Sequence, residues 1–155
     1  MKMNHVRYSI MAAVLSMSFM TSRPVSAQAP STHALIHLTN NSSARATVYF
    51  KWGNGAWRRT IIEIGGSHYF NYRYDGQSKR SPNFYVRIDV DTNGVKIVEH
   101  LLSRGQSPDD SSSAYGHHFT IKQLNGTDTR YIQAVTRGAT VTVTDNNSSR
   151  PSVSQ

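Results

Sequence analysis

Two tryptophans separated by a short turn are the residues best suited, by type and spacing, to bind a ligand. The segment from Trp52 to Trp57 contains Asn54 and Gly55, and an Asn-Gly pair supplies the positive φ angles that a two-residue hairpin requires. That register sets Trp52 directly across from Trp57, within reach of ring contact. The rings are expected either to close one end of a hydrophobic core or to form an exposed platform for a sugar or a protein.

The same register places Lys51 opposite Arg58 on the other face of the hairpin. Like charges directly across a sheet repel each other. The pair is therefore expected either to hold an anion or to be solvated on an edge hairpin, where charge opposes aggregation. The candidate ligand surface consists of Trp52, Trp57, Lys51 and Arg58.

Two further patterns suggest metal binding and then fail on spacing. The segment 89–94 reads Asp-Val-Asp-Thr-Asn-Gly, like the opening of a calcium loop, but the glutamate required at loop position 12 would fall on His100. An Asn-Gly turn after a strand explains this segment better. His117 and His118 are adjacent on a predicted strand, so they point to opposite faces and cannot hold one ion together. No metal site and no cofactor is predicted.

Motifs of catalysis are absent from the sequence. It has no G-x-S-x-G elbow, no H-E-x-x-H helix, no phosphate-binding glycine loop and no cysteine. No catalytic residue is predicted, and an enzyme with a site outside these motifs is the remaining alternative.

Aromatic and basic residues alternate between His68 and Tyr74, where four aromatic side chains occur in one predicted strand. Both faces of such a strand cannot be core, so part of it is expected to reach the surface. Single-stranded nucleic acids bind to similar aromatic surfaces, but the signatures of dedicated RNA-binding domains are missing. A nucleic-acid partner is not expected.

Alternation of apolar and polar residues runs from Ala34 to Val143, broken at short intervals by Gly, Asn, Asp and Pro. This pattern predicts an all-β fold, a single antiparallel β-sandwich of immunoglobulin-like or jelly-roll-like type with about 8–9 short strands, or alternatively a small β-barrel. The stretch 103–115 lacks the pattern and is predicted to be mobile surface. The side chains assigned to the core faces are Val48, Phe50, Trp52, Phe84, Val86, Ile88, Val90, Phe119 and Ile121.

The N-terminal segment has the three parts of a secretory signal. Lys2 and Arg7 precede an apolar run, and small residues follow at 25–27. Residues 1–29 are therefore predicted to be a signal peptide, cleaved after Ala27 or Ala29, followed by a β-sandwich domain at 30–145 and a disordered polar tail at 146–155. The apolar run is shorter than the roughly 20 residues that span a bilayer, so permanent membrane insertion is not expected. The product is predicted to be a soluble exported protein, periplasmic or secreted.

Composition limits how this domain is stabilised and what it attracts. The chain has no cysteine, so it must rely on buried apolar surface rather than on disulfides. Its 17 Lys and Arg exceed its 9 Asp and Glu, a net charge of +8. Cleavage would remove three basic residues and leave about +5, which favours association with anionic surfaces.

The order of several motifs resembles that of a small secreted β domain of predicted bacterial envelope proteins, whose activity is not established. The motifs are an Asn-Asn-Ser strand end (40–42), a Trp-Gly-x-Gly-x-Trp hairpin with basic residues (52–59), a Gly-Gly-Ser turn (65–67) and Ser-Pro-x-Phe-x-Val-Arg-x-Asp-x-Asp (81–91). The resemblance spans Leu35 to Asn93. It implies a β-sandwich module and supplies no catalytic residue.

The leading functional hypothesis is an exported, non-catalytic interaction or envelope-associated module. The partners considered are a glycan, an anionic envelope polymer or another envelope protein. The second hypothesis is a carbohydrate- or polyanion-binding domain that uses the tryptophan hairpin, and the third is an enzyme with an unrecognised site.

Overall fold

The computed structural model describes residues 32–74, 81–88, 97–108 and 115–145. Within these ranges the chain forms two five-stranded sheets, and neither sheet closes on itself. The fold is the predicted all-β sandwich. The predicted signal peptide, the calcium-like segment 89–94 and the polar tail lie outside the described residues. No helix in the described ranges is long and apolar enough to cross a membrane.

Ten strands occur in the described residues. In chain order they are β1 (His33–Asn40), β2 (Ala46–Trp52), β3 (Arg58–Ile62), β4 (Ser67–Arg73), β5 (Phe84–Ile88), β6 (Glu99–Leu102), β7 (Gly105–Ser107), β8 (His117–Gln123), β9 (Arg130–Ala134) and β10 (Val141–Asp145). The first sheet has the order β4-β1-β8-β9, with the short β7 also paired to β1, and the second has the order β10-β6-β5-β2-β3.

One strand pair departs from the predicted antiparallel arrangement. β1 and β8 run parallel, with His37 beside His118 and Leu38 beside Phe119. A parallel pair requires a long crossover connection, and here most of the domain separates the two strands in sequence. The parallel pairing sets side chains from the two ends of the domain next to each other.

The core lies between the inner faces of the two sheets, as the alternation predicts. Phe84, Val86 and Ile88 of β5 face inward, as do Phe119 and Ile121 of β8. Since burying one such side chain contributes about 1.5–3 kcal/mol, these faces fix the packing of the sandwich. Further core-facing side chains are Ile36, Leu38, Ala46, Val48, Ile62, Phe70, Leu102 and Ile132, with Phe50 and Trp52 packed against them. Val90 lies outside the described residues.

The predicted mobile stretch 103–115 contains ordered structure. Gly105–Ser107 forms β7 and pairs with β1, and both end residues of β7 are buried. A Cβ at Gly105 would lie 1.7 Å from the carbonyl oxygen of Tyr115, so the chain passes too close for any side chain. Alternation does not reveal this strand, because three residues are too few to show a period.

Candidate functional site

A groove lies between the β2–β3 hairpin of the second sheet and β4 of the first. Its volume is about 700 Å³. The walls are mainly aromatic, because the inner faces of β2 and β4 carry rings at alternate positions. The side chains that define these walls are Phe50 and Trp52 from β2, Arg58 from β3, and His68, Phe70 and Tyr72 from β4.

Trp52 is the central ring of the groove. Its ring centroid is 4.7 Å from that of Phe84 in the core and 5.2 Å from that of Tyr72 on the opposite sheet. Trp52 is half-buried, and 37% of Tyr72 is exposed. One side of the Trp52 ring is therefore anchored while the groove remains accessible, which is the arrangement of an aromatic binding surface.

Polar and charged groups complete the groove. Arg58 pairs with Phe50 across the hairpin, so it points inward with the Phe50 ring, and its side chain is exposed. Burial lowers the pKa of His68 below its ordinary value, so this imidazole is neutral near pH 7. Arg58 is thus the cation whose charge faces the groove.

The hairpin register differs from the predicted one by one residue. Tyr49 pairs with Arg59 and Phe50 with Arg58, so the same register sets Lys51 opposite Trp57 and Trp52 opposite Ala56. The expected Trp52 to Trp57 and Lys51 to Arg58 pairs are therefore wrong.

The turn itself explains this difference. Its hydrogen bond runs from the Gly55 amide to the Trp52 carbonyl over 2.9 Å, and the positive φ, 54°, is at Gly53. The turn is centred on Gly53 and Asn54 rather than on Asn54 and Gly55. A slip of one residue exchanges the two faces of a strand, so Ile62 is buried at 2% exposure while Ile61 is 40% exposed.

Trp57 consequently lies on the outer face of the second sheet, in a cluster of cations and rings. The Arg87 guanidinium lies 4.3 Å from the Trp57 ring centroid, and the Lys51 ammonium lies 4.9 Å from the same centroid. Arg87 also donates two hydrogen bonds to Glu99, at 2.6 and 3.0 Å. Tyr49, on the same face of β2 as Lys51, is only 2% exposed although it points away from the core.

The structure thus divides the four candidate residues between two faces. Trp52 and Arg58 line the groove, whereas Trp57 and the ammonium of Lys51 belong to the outer cluster. Lys51 borders the groove, but its charge lies over Trp57 and Tyr85. Of the four candidate residues, Trp57 is the one that does not line the groove.

Sequence reasoning leaves the opposite wall of the groove unassigned. The aromatic strand is expected to reach the surface in part, and it does so at Tyr72, beside Trp52. The signal is present in the ring-rich sequence of β4, but pairing it with β2 across two sheets requires the fold.

The adjacent histidines His117 and His118 lie in different environments. His117 faces inward, where its Nδ1 lies 2.8 Å from the Ser103 hydroxyl, whereas His118 faces outward beside His37. Burial, with a smaller effect from His118, lowers the pKa of His37. Among the described residues no group of three or more His, Cys, Asp or Glu is arranged to hold a metal.

Comparison with known proteins assigns this chain to no family. No family model and no curated protein matches the chain. A solved structure of SPH (self-incompatibility protein homologue) proteins, described as small, highly stable, secreted proteins from plants, is similar over 71% of this chain and 91% of that one. The identity is 15% and the TM-score 0.40, so this likeness carries no argument about fold or function.

Proposed function

We propose that this protein is an exported, non-catalytic binding domain whose groove takes a carbohydrate chain with an acidic substituent. The observation that carries the proposal is the groove itself, which Trp52, Tyr72 and the exposed Arg58 line together. Export rests on the N-terminal sequence alone.

Carbohydrate is favoured because the groove combines ring faces with neutral polar groups. The C–H faces of a sugar pack on aromatic rings, while its hydroxyls need hydrogen-bond partners. Asn54 and Asn71 border the groove and are both exposed. Its volume of about 700 Å³ is in the range of pockets that enclose small ligands, about 300–1,000 Å³.

An acidic substituent is favoured by the charge of the groove. Among the described residues that line it there is no Asp or Glu. A guanidinium binds carboxylate and sulfate groups through paired hydrogen bonds, which an ammonium cannot reproduce. Arg58 is placed to make such a contact while the sugar rings pack on Trp52 and Tyr72.

Binding rather than catalysis is favoured by the same set of side chains. General acid–base chemistry needs titratable groups positioned around the reacting bond. Of the described lining residues, His68 is the one imidazole, its pKa is lowered by burial, and no carboxylate accompanies it.

Charge reversal at two neighbouring arginines tests the site. Arg58→Glu changes the groove, whereas Arg59→Glu makes the same change one residue later, on the outer face of the hairpin. We expect Arg58→Glu to weaken binding of uronic-acid or sulfated oligosaccharides at least about tenfold in titration calorimetry, since hydrogen bonds to charged groups contribute about 1.5–3 kcal/mol. Arg59→Glu should change the affinity less than about threefold.

Equal losses in the two variants would show a diffuse attraction of the basic hairpin for polyanions, and would contradict a defined groove site. Absence of binding to every acidic oligosaccharide in the panel would contradict the proposal altogether.

The two tryptophans give an independent readout, because the chain contains only these two. In Trp57→Phe the remaining indole is in the groove, and in Trp52→Phe it is on the outer face. We expect the oligosaccharide to shift the fluorescence of Trp57→Phe and not that of Trp52→Phe. The reverse pattern would move the site to the outer cluster.

A further inference from the structure

We propose that His37 and His118 form a two-histidine site for a divalent transition-metal cation, with Cu²⁺ bound most strongly. The site lies on the outward face of the first sheet, where β1 and β8 are adjacent. It is independent of the groove and of the proposed carbohydrate ligand.

The parallel pairing of β1 and β8 creates the site. His37 and His118 are direct partners in the register, and their ring centroids are 4.8 Å apart with planes tilted by 58°. Each strand contributes one imidazole to the same face, unlike the adjacent His117, which faces the core. Both rings are half-buried, so their positions are restrained while a solvent ion can reach them.

The distance agrees with that between two imidazoles on one metal. A metal–nitrogen bond of about 2.0–2.1 Å places each ring centroid about 3.2 Å from the metal. Two rings are then about 4.5 Å apart at a ligand angle of 90°, as in tetragonal Cu²⁺, and about 5.2 Å apart at a tetrahedral angle, as for Zn²⁺. The observed 4.8 Å lies between these values, so the spacing of the two rings is compatible with either ion.

The side chain beside His37 on β4 carries no positive charge. The residue paired with His37 on its other side is Tyr69, whose ring centroid is 6.4 Å away, so no positive side chain flanks His37 on that side within the described sheet. Thr120 follows on the same face, and its buried Oγ1 has no hydrogen-bond partner among the described residues. Waters must fill the coordination positions that two imidazoles leave open.

Imidazole selects the class of ion. It suits Cu²⁺, Ni²⁺ and Zn²⁺, whereas Mg²⁺ and Ca²⁺ prefer oxygen ligands. Affinity for nitrogen sites rises from Ni²⁺ to Cu²⁺ and falls again to Zn²⁺, so Cu²⁺ is expected to bind most tightly.

Titration calorimetry of the chain, purified without a polyhistidine tag, tests the site with CuCl₂, ZnCl₂ and MgCl₂. We expect one equivalent of Cu²⁺ and a weaker equivalent of Zn²⁺, with no binding of Mg²⁺. His37→Gln and His118→Gln should each weaken Cu²⁺ binding at least about tenfold, because the one imidazole that remains in each variant can no longer chelate the ion. His33→Gln is the matched control, since His33 is on the same strand and face but pairs with Arg73.

Thermal unfolding gives a second readout that does not depend on the calorimetric signal. His37 and His118 come together only in the folded chain, so Zn²⁺ should raise the Tm of the unaltered protein and of His33→Gln. The rise should vanish in His37→Gln and His118→Gln, with circular dichroism confirming that both fold without metal. Metal binding that survives both substitutions, or no binding above that of the variants, would overturn the site.

Discussion

Asn40 joins the two sheets through a fully buried side chain. Its Nδ2 donates hydrogen bonds to the carbonyls of Ala44 and Ile62, both at 2.9 Å. Its Oδ1 accepts hydrogen bonds from the amide and the hydroxyl of Ser42. A strand end of the first sheet is thereby fixed to β3 of the second, and the Asn-Asn-Ser sequence has a structural role here.

Asn40→Ala is expected to destabilise the domain by about 2–4 kcal/mol, because the buried Ile62 carbonyl and Ser42 amide lose the Asn40 side chain as their partner. Asn41→Ala is the control, since Asn41 is exposed and contributes its backbone amide, which the substitution keeps. That variant should remain within about 0.5 kcal/mol of the parent. Urea unfolding measures both, and similar losses would contradict the role given to the Asn40 amide.

The positions of some single residues could be predicted from the sequence. The inward positions of Val48 and Val86 follow directly from alternation, and so does the separation of His117 from His118. The pairing of His37 with His118 could not be predicted, because it depends on which strands become neighbours.

At the level of elements, the register of one hairpin decides where the candidate side chains lie. The Asn-Gly rule correctly located the turn but not its centre, because Gly53 rather than Gly55 takes the positive φ. Either register buries one isoleucine, Ile62 in the observed register and Ile61 in the predicted one, so this pair does not decide between them. The sequence does not distinguish Ile61 from Ile62. It therefore does not fix which face of the sheet Trp57 occupies.

The shortest strand provides a test at this scale. Gly105→Ala should destabilise the domain by about 2–3 kcal/mol or more, since the new Cβ would overlap the backbone of Tyr115 and force β7 away from β1. Gln106→Ala, at the exposed middle position of β7, should have an effect below about 0.5 kcal/mol.

Hydrogen exchange locates the change. The amide of Thr32 donates to the carbonyl of Ser107, so its protection should fall in Gly105→Ala and persist in Gln106→Ala. Unchanged stability and protection in Gly105→Ala would show that β7 does not hold the position described.

For the whole molecule, several histidines are folded in environments that disfavour their charged form. Burial lowers the pKa of His100, and backbone hydrogen bonding at Val98 and Val86 acts in the opposite direction without cancelling it. His100 faces inward between its strand partners Val86 and Val143. Burial lowers the pKa of His68 as well. These histidines therefore bind protons more readily in the unfolded chain than in the folded domain.

This difference predicts that the domain loses stability on mild acidification. Since the folded pKa values are below the unfolded value of about 6.5, the stabilisation is present above that pH and is lost as the pH falls through the folded values. The free energy of unfolding, measured in urea between about pH 7.5 and 5, should decrease steadily. His100→Leu should flatten this dependence, because it removes the buried group that resists protonation. Leu102→Val, a core substitution on the same strand and face, should lower the stability without changing the slope. A slope that His100→Leu leaves unchanged would assign the acid sensitivity to groups other than this histidine.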